Sequence, residues 1–324
     1  GTQLAWFSDE GGEYQIMIGD QSGLTKPRAI PLPAPGFYSS LEWSPDGKQL
    51  SFEDHRMTLW TADAATGKST RIDTDVFDDP FRDMEAVWSP DSKFLAYSRN
   101  LDNHLRALFM HSFADGKSYQ ITDGLSDAVS PTFDGGGKYL YFLASTDYGP
   151  RTGWLEMSSI DRPVRRSIYL AVLPASEPSP LLPEAGDEPV PAATPSKAKP
   201  DSTVRLDIAG IGQRILSLNV PPGDYSQLEA GPAGTIFYAE PMTGAGPGAL
   251  RLHRYQLKER AAAPFLEGIR EYSVSGDRKK LLYQVPGAEG GRWGIVTTDR
   301  GGRVGDGPVS MAQLEMWVDP RAEW

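Results

Sequence analysis

The sequence predicts an all-β fold, a β-propeller of four-stranded antiparallel blades. The main observation is a ten-residue unit that starts with Trp43-Ser44-Pro45-Asp46-Gly47 and ends at Phe52. The unit returns 45 residues later at Trp88, and after another 45 residues at Phe133. An all-β unit that recurs every 40 to 50 residues or so is typical of a propeller blade. The 34 glycines and 27 prolines agree with this fold, because they suit many short strands joined by turns.

Turn chemistry predicts where the strands of a blade begin. Pro45 presets φ for the first central position of a tight turn, and Asp46 and Gly47 suit the positions that follow. Leu50 and Phe52 then alternate with polar residues, as in a half-buried strand. Since the three copies share one phase, we expect their turns to lie on the same face of the molecule.

Six repeats can be recovered, so we expect six or seven blades. The first repeat starts in mid-blade without its innermost strand, because Gly1-Thr2-Gln3-Leu4 aligns with Gly47-Lys48-Gln49-Leu50. The chain therefore resembles a segment of a longer protein. The propeller should cover residues 1–318, and residues 319–324 should begin a link to a catalytic core that is absent here. The repeats lie near residues 1–37, 38–81, 82–126, 127–220, 221–267 and 268–313.

The fourth repeat contains a long insertion. Residues 174–201 are dominated by Pro, Ala, Ser, Glu and Lys, with almost nothing to bury. Such a composition cannot offset the entropy lost on ordering, so it predicts a disordered or extended segment.

Charge and composition argue against several classes of function. The net charge of −11 disfavours nucleic-acid and anionic-membrane binding, because both depend on cationic surfaces. No apolar run approaches the roughly 20 residues that a membrane helix needs, so we expect no membrane insertion. The chain has no cysteine, which rules out thiol chemistry but leaves a cytoplasmic or a periplasmic location open.

The sequence predicts no catalytic residue, no metal site and no cofactor. There is no Gly-x-Ser-x-Gly nucleophile elbow. The triplets that begin at Gly67 and Gly116 resemble the end of a phosphate-binding loop but lack its first glycine and its helix. The four histidines lie in different repeats, without a second ligand at metal spacing.

The innermost strand of each blade should line an axial channel. Three glutamates, Glu42, Glu85 and Glu271, lie on or next to the predicted channel strands. A few like charges in a narrow passage would favour cationic or neutral peptides over anionic ones. The alternative, that these side chains face loops and have no such role, stays open at this stage.

The repeats resemble those of the wide group of TolB-like and WD40-like propellers. Five longer stretches are more specific: residues 144–149, 152–159, 168–173, 207–215 and 223–226. These stretches resemble the tricorn proteases and their bacterial relatives. The tail, residues 316–324, is similar to the link by which that family leaves its second propeller for the proteolytic core. The resemblance covers essentially the whole chain.

This resemblance implies a serine peptidase with two propellers and a core that holds a PDZ-like module and the catalytic Ser and His. In tricorn the second propeller has seven blades and is thought to admit peptides to a buried active site. We therefore expect a non-catalytic propeller that gates peptides, with peptide substrates and the peptidase core of the same parent chain as partners. A homo-oligomer formed through the parent is left open. Two alternatives remain: a TolB-like propeller that binds proteins, and the propeller of a prolyl-oligopeptidase-type enzyme.

Overall fold

The computed structural model describes residues 1–77, 83–147, 164–182, 202–287 and 291–310. Within these ranges the chain forms six antiparallel sheets and one short 3-10 helix, Ile211–Arg214. The sheets are arranged as a six-bladed β-propeller, and consecutive strands of the chain are neighbours in each blade. The predicted all-β propeller is confirmed.

The strands follow the repeats in order. The first blade contains β1 (Gln3–Ser8), β2 (Gln15–Asp20) and β3 (Arg28–Pro31), and the second contains β4 (Tyr38–Trp43), β5 (Gln49–Asp54), β6 (Thr58–Asp63) and β7 (Ser69–Thr74). The third contains β8 (Val87–Trp88), β9 (Phe94–Asn100), β10 (Arg106–Ser112) and β11 (Lys117–Gln120), and the fourth contains β12 (Asp127–Phe133), β13 (Tyr139–Ser145), β14 (Ser167–Val172) and β15 (Ile215–Ser217). The fifth contains β16 (Ser226–Ala230), β17 (Thr235–Pro241), β18 (Leu250–Gln256) and β19 (Ala261–Ile269), and the sixth contains β20 (Glu271–Val274), β21 (Lys280–Val285) and β22 (Arg292–Thr297).

The core consists of apolar clusters between consecutive blades. Phe52 is fully buried between the first and second blades, and Tyr97 between the second and third. Phe142, Tyr141 and Tyr283 belong to the next three clusters along the ring. Because each cluster takes side chains from two blades, a single blade could not bury its apolar residues alone. In the described part of the chain, no comparable cluster joins the sixth blade to the first.

The two end blades each leave apolar side chains uncovered. Leu4 and Trp6 on β1 are 54% and 39% exposed, and Ile295 on β22 is 41% exposed. Leu282 of β21 lies next to Ile295 in a shallow apolar cavity on the sixth blade. Gly307 and Val309 pair with the outer edge of β22, where the backbone N–H of Val309 donates to the carbonyl of Trp293 at 2.9 Å.

The turns between the first and second strands of the blades lie together on one face, which we call the turn face. The backbone N–H of Asp46 donates to Ser92 Oγ at 3.1 Å, which joins the turns of the second and third blades. The N–H of Gly234 donates to Asp134 Oδ1 at 2.7 Å and joins those of the fourth and fifth. Val204 lies between the third and fourth turns, where its N–H donates to Asp91 Oδ2 at 3.0 Å. The common face expected from the shared phase is therefore confirmed.

Residues 174–182 begin the predicted insertion and contact the propeller. Lys138 Nζ lies 2.7 Å from Glu177 Oε1, and Leu181 packs partly against the cluster between the fourth and fifth blades. The rest of the predicted insertion, residues 183–201, lies outside the described residues. The same holds for residues 152–159 and for the predicted link at residues 319–324.

Candidate functional site: the axial channel

Two cavities lie next to each other along the propeller axis, lined mainly by the innermost strands. The lower chamber, of about 890 Å³, opens toward the turn face beside Trp43, Trp88 and Ser275. The upper chamber, of about 320 Å³, lies on the opposite side. Both chambers are lined by Glu42, Val87 and Leu228, which we call the waist. The two chambers therefore meet at one carboxylate and two aliphatic side chains.

A β-bulge shapes the inner strands at this level. In the second blade Ser39 pairs with Glu53 and Glu42 pairs with Ser51, so two residues on β4 face one on β5. The fourth and fifth blades have the same irregularity, after Val129 and after Ser226. An extra residue bends the strand and redirects the side chains that follow. As a result Glu42 lines the waist, and Glu229, in the equivalent place of β16, lines the lower chamber.

The upper chamber holds a hydrogen-bonded group of polar side chains. Ser40 Oγ donates to Asp83 Oδ2 at 2.9 Å. The carboxylate of Glu85 accepts a hydrogen bond from the backbone N–H of Ser130, and Arg106 Nη1 lies 3.9 Å from Glu85 Oε1. Burial raises the pKa of Glu85, while the Arg106 guanidinium opposes that change.

Burial and neighbouring negative charges favour the protonated forms of Glu42 at the waist and Glu229 in the lower chamber. Burial, and then the charge of Asp83, raise the pKa of Glu42 to about 7. Burial also raises the pKa of Glu229 to about 7, and the charge of Glu42 adds to the effect. Glu229 Oε2 accepts a hydrogen bond from the N–H of Val274 at 2.7 Å.

Glu53 lies behind the waist on β5 and is only 5% exposed. Its two carboxylate oxygens accept from the backbone N–H of Met84 at 3.0 and 3.2 Å. Burial, followed by the charge of Asp83, raises its pKa to about 8. Glu53 therefore anchors the segment that leads into the channel strand of the third blade.

The structure brings two of the three predicted channel glutamates together. Glu42 and Glu85 both line the upper chamber. Glu271 lies exposed at the start of β20 and lines neither chamber. Sequence reasoning missed Glu229, Glu53 and Asp83. A signal for Glu229 existed, because it precedes the strand end at Ala230 as Glu42 precedes Trp43, but the degenerate Gly231-Pro232-Ala233-Gly234 turn obscured that alignment.

One pairing on the outer strands resembles part of a hydrolase site. His111 Nδ1 lies 3.0 Å from Ser118 Oγ. These residues are cross-strand neighbours on β10 and β11, His111 is buried, and neither residue lines a chamber. Burial lowers the pKa of His111, which weakens it as a base. We interpret the pair as a packing contact of the third blade.

Metal-binding groups and membrane-spanning helices are both absent from the described residues. Among them, no group of three or more His, Asp or Glu side chains is arranged so that it could hold a metal ion. None of the helices in these ranges has the length and apolar character needed to cross a membrane.

Comparison with known proteins identifies the domain. Residues 1–288 match the family model of the tricorn protease second β-propeller domain. Tricorn protease homolog 1 of Streptomyces coelicolor is 27% identical over an alignment that covers 99% of this chain and 31% of that protein. A tricorn protease homolog of Saccharolobus solfataricus is 25% identical over 87% of this chain and 25% of its own length. The chain thus spans about a third or less of these relatives.

Solved structures show the same fold. The crystal structure of the tricorn protease superimposes with a TM-score of 0.70 at 20% identity, over 92% of this chain and 28% of that one. TolB from Acinetobacter baumannii superimposes with a TM-score of 0.55 at 14% identity, over 92% of this chain and 61% of that one. The resemblance noted in the sequence is confirmed by the family match over most of the chain. The chain belongs to the family of the tricorn protease second β-propeller domain.

Proposed function

We propose that this propeller is a non-catalytic passage that filters peptides on their way to the proteolytic core of a larger serine peptidase. The observation that carries the proposal is the two-chambered channel with its carboxylate-lined waist, in a domain of the tricorn family. An extended peptide entering such a channel would meet Glu42 where the two chambers meet. The partners of the domain would then be peptides and the core of the same parent chain.

The charges around the channel predict its preference. Glu42, Asp83, Glu85 and Glu229 line the two chambers, and Arg278 lies at the lower one. With more carboxylates than cations along its wall, the channel should favour cationic or neutral peptides over anionic ones. This preference should weaken as the pH falls below about 7, because Glu42 and Glu229 then take up protons.

The test is to block the waist in the full-length peptidase. Glu42→Trp places a bulky indole where the two chambers meet, whereas Glu271→Trp places the same group on an inner strand outside both chambers. We expect Glu42→Trp to lower kcat/KM for longer peptides about tenfold or more, a loss of about 1.4 kcal/mol in transition-state stabilisation. Glu271→Trp should leave it near the wild-type value. Equal activity of both variants toward longer peptides would show that peptides do not pass through this channel.

A further inference from the structure

Four residues around the upper chamber share an unusual backbone conformation. Ser40, Glu85, Ser130 and Gln227 have φ values of 55°, 49°, 52° and 50°. This left-handed region is unfavourable for residues with a side chain and is normally left to glycine. All four residues line the upper chamber, one from each of four consecutive blades. Strained residues that recur at one level of a channel point to a role at that level.

The four residues occupy one structural position. In the second, fourth and fifth blades each follows directly on the last pair before the bulge of its inner strand. The third blade has the same spacing. The carbonyl of Met84 accepts from the N–H of Ser98 at 2.7 Å, and three residues after Met84, Val87 pairs with Ala96. Glu85 therefore directly follows the last bonded residue before the irregularity. The conformation is thus a repeated feature of the ring.

Three of these residues make hydrogen bonds to the next blade through their side chains. Ser40 Oγ donates to Asp83 Oδ2 of the third blade at 2.9 Å, and Glu85 accepts from the N–H of Ser130 in the fourth. Gln227 Nε2 donates to the carbonyl of Arg270 at 3.3 Å, and the Tyr272 hydroxyl of the sixth blade donates to the carbonyl of Gln227. These bonds hold neighbouring blades together at the channel wall.

Glycine could adopt this backbone without strain. Gly47, Gly137 and Gly234 take positive φ at one position of the turns on the turn face. We propose that Ser40, Glu85, Ser130 and Gln227 form a belt that sets the aperture of the upper chamber, and thereby the size of the peptide that passes. The selection of peptide size rests on the proposed function, whereas the setting of the aperture concerns the geometry of the propeller alone.

The aperture can be measured on this chain without any peptidase core. Since the chain has no cysteine, Phe37→Cys and Leu125→Cys introduce a single pair of spin-label sites. Both positions are largely exposed and lie just before the inner strands of the second and fourth blades. The belt variant combines Ser40→Gly, Ser130→Gly and Gln227→Gly. It retains Glu85, so the charge of the upper chamber stays the same.

In the belt variant we expect the distance distribution between the labels to broaden or shift outward by several ångströms. The melting temperature should change little, because glycine relieves strain while the side-chain bonds are lost. Met57→Gly is the matched control, since Met57 has φ 59° but lies in the hairpin between β5 and β6, outside both chambers. An unchanged distance distribution in the belt variant, or an equal change in the control, would refute the proposal that these residues set the aperture of the upper chamber.

The effect on substrate size is measured in the full-length peptidase. The belt variant should raise the kcat/KM ratio of bulky to slender peptides several-fold, and Met57→Gly should leave the ratio unchanged. If the label distances change but the ratio does not, the belt sets the aperture without selecting substrates, and its role in size selection is refuted. If Glu42→Trp also leaves every peptide cleaved as before, the proposal that peptides pass through the channel is refuted. The two experiments therefore distinguish a failure of size selection from a failure of the proposed function.

Discussion

At the residue scale, two tryptophans at equivalent blade positions differ in one hydrogen bond. Trp88 Nε1 donates to Ser51 Oγ of the preceding blade at 2.9 Å. The Nε1 of Trp43 is buried and has no partner among the described residues. The alignment of the repeats explains the difference. The residue of the first blade that corresponds to Ser51 is Ala5, which has no hydroxyl. A buried donor without an acceptor costs stability.

We predict that Ala5→Ser stabilises the protein. A serine hydroxyl at this place could accept from Trp43 Nε1, as Ser51 accepts from Trp88, and a new buried hydrogen bond contributes about 1 kcal/mol. Urea unfolding followed by tryptophan fluorescence measures the change in unfolding free energy. The reverse change, Ser51→Ala, should cost about 1–3 kcal/mol because it leaves the Trp88 indole unpaired. A loss of stability in Ala5→Ser would show that the first blade lacks room for the hydroxyl.

The sequence predicted some residues of the channel and missed others for a physical reason. Glu42 and Glu85 could be placed because the strong turns after Trp43 and Trp88 set the phase of their blades. Asp83 of the third blade accepts a hydrogen bond from Ser40 of the second, and Glu53 of the second blade accepts one from Met84 of the third. Such contacts depend on how the blades pack, which no local pattern encodes.

At the element scale, the turns were predictable and the bulges were not. In the second, third and sixth blades a serine hydroxyl accepts from the N–H five residues later, at 2.9, 2.9 and 3.0 Å. Ser, Pro, Asp and Gly signal this geometry through their own side chains and their φ preferences. The bulge residues are Ser, Glu, Ser and Gln, types with no such preference, so only the structure reveals their shared conformation.

Arg278 joins three turns that are distant in sequence. Its Nη1 donates to the carbonyl of Phe133 at 3.0 Å and to that of Gly231 at 3.2 Å, so the sixth blade holds the fourth and fifth. Burial lowers the pKa of Arg278, and the charge of Asp134 partly offsets that effect. A guanidinium that serves two carbonyls should contribute more than a surface charge.

We predict that Arg278→Ala destabilises the protein by about 2–4 kcal/mol, because two buried carbonyls lose their charged donor. Arg278→Lys should recover only part of this loss, since an ammonium lacks the forked geometry of the guanidinium. Lys279→Ala changes an exposed neighbour and should stay within about 0.5 kcal/mol of the wild type. Equal stability of the three variants would rule out a linking role for Arg278.

At the scale of the whole molecule, the repeat predicted the architecture because each blade needs its neighbours to bury its core. Five clusters between blades carry out that burial in the described part of the chain. The channel also depends on several blades together, since its waist is formed by residues of the second, third and fifth blades. The period in the sequence predicts that blades exist, but the cavities depend on how the blades are arranged around the axis.

The carboxyls around the axis therefore report on the assembled ring, and their pKa values predict how stability depends on pH. The pKa of Glu53 rises from 4.5 to about 8, and those of Glu42 and Glu229 rise to about 7. A carboxyl with a raised pKa holds its proton more tightly in the folded than in the unfolded protein. Its stabilisation is complete below about pH 4.5 and is lost as the pH rises through 7 to 8.

We predict that the free energy of unfolding falls between pH 5 and pH 8, and that Glu53→Gln makes this fall smaller. The neutral amide oxygen of the substituted side chain would still accept from the N–H of Met84, but the amide would not ionise. The variant should therefore retain on the order of 1–3 kcal/mol that the wild type loses by pH 8. Urea unfolding at several pH values measures both slopes, and Glu271→Gln is the control for the loss of one carboxylate outside the chambers. If wild type and Glu53→Gln kept parallel slopes over this range, Glu53 would ionise in the folded protein as it does in the unfolded chain. The packing of the blades around Glu53 would then leave the pKa of its carboxyl unchanged on folding.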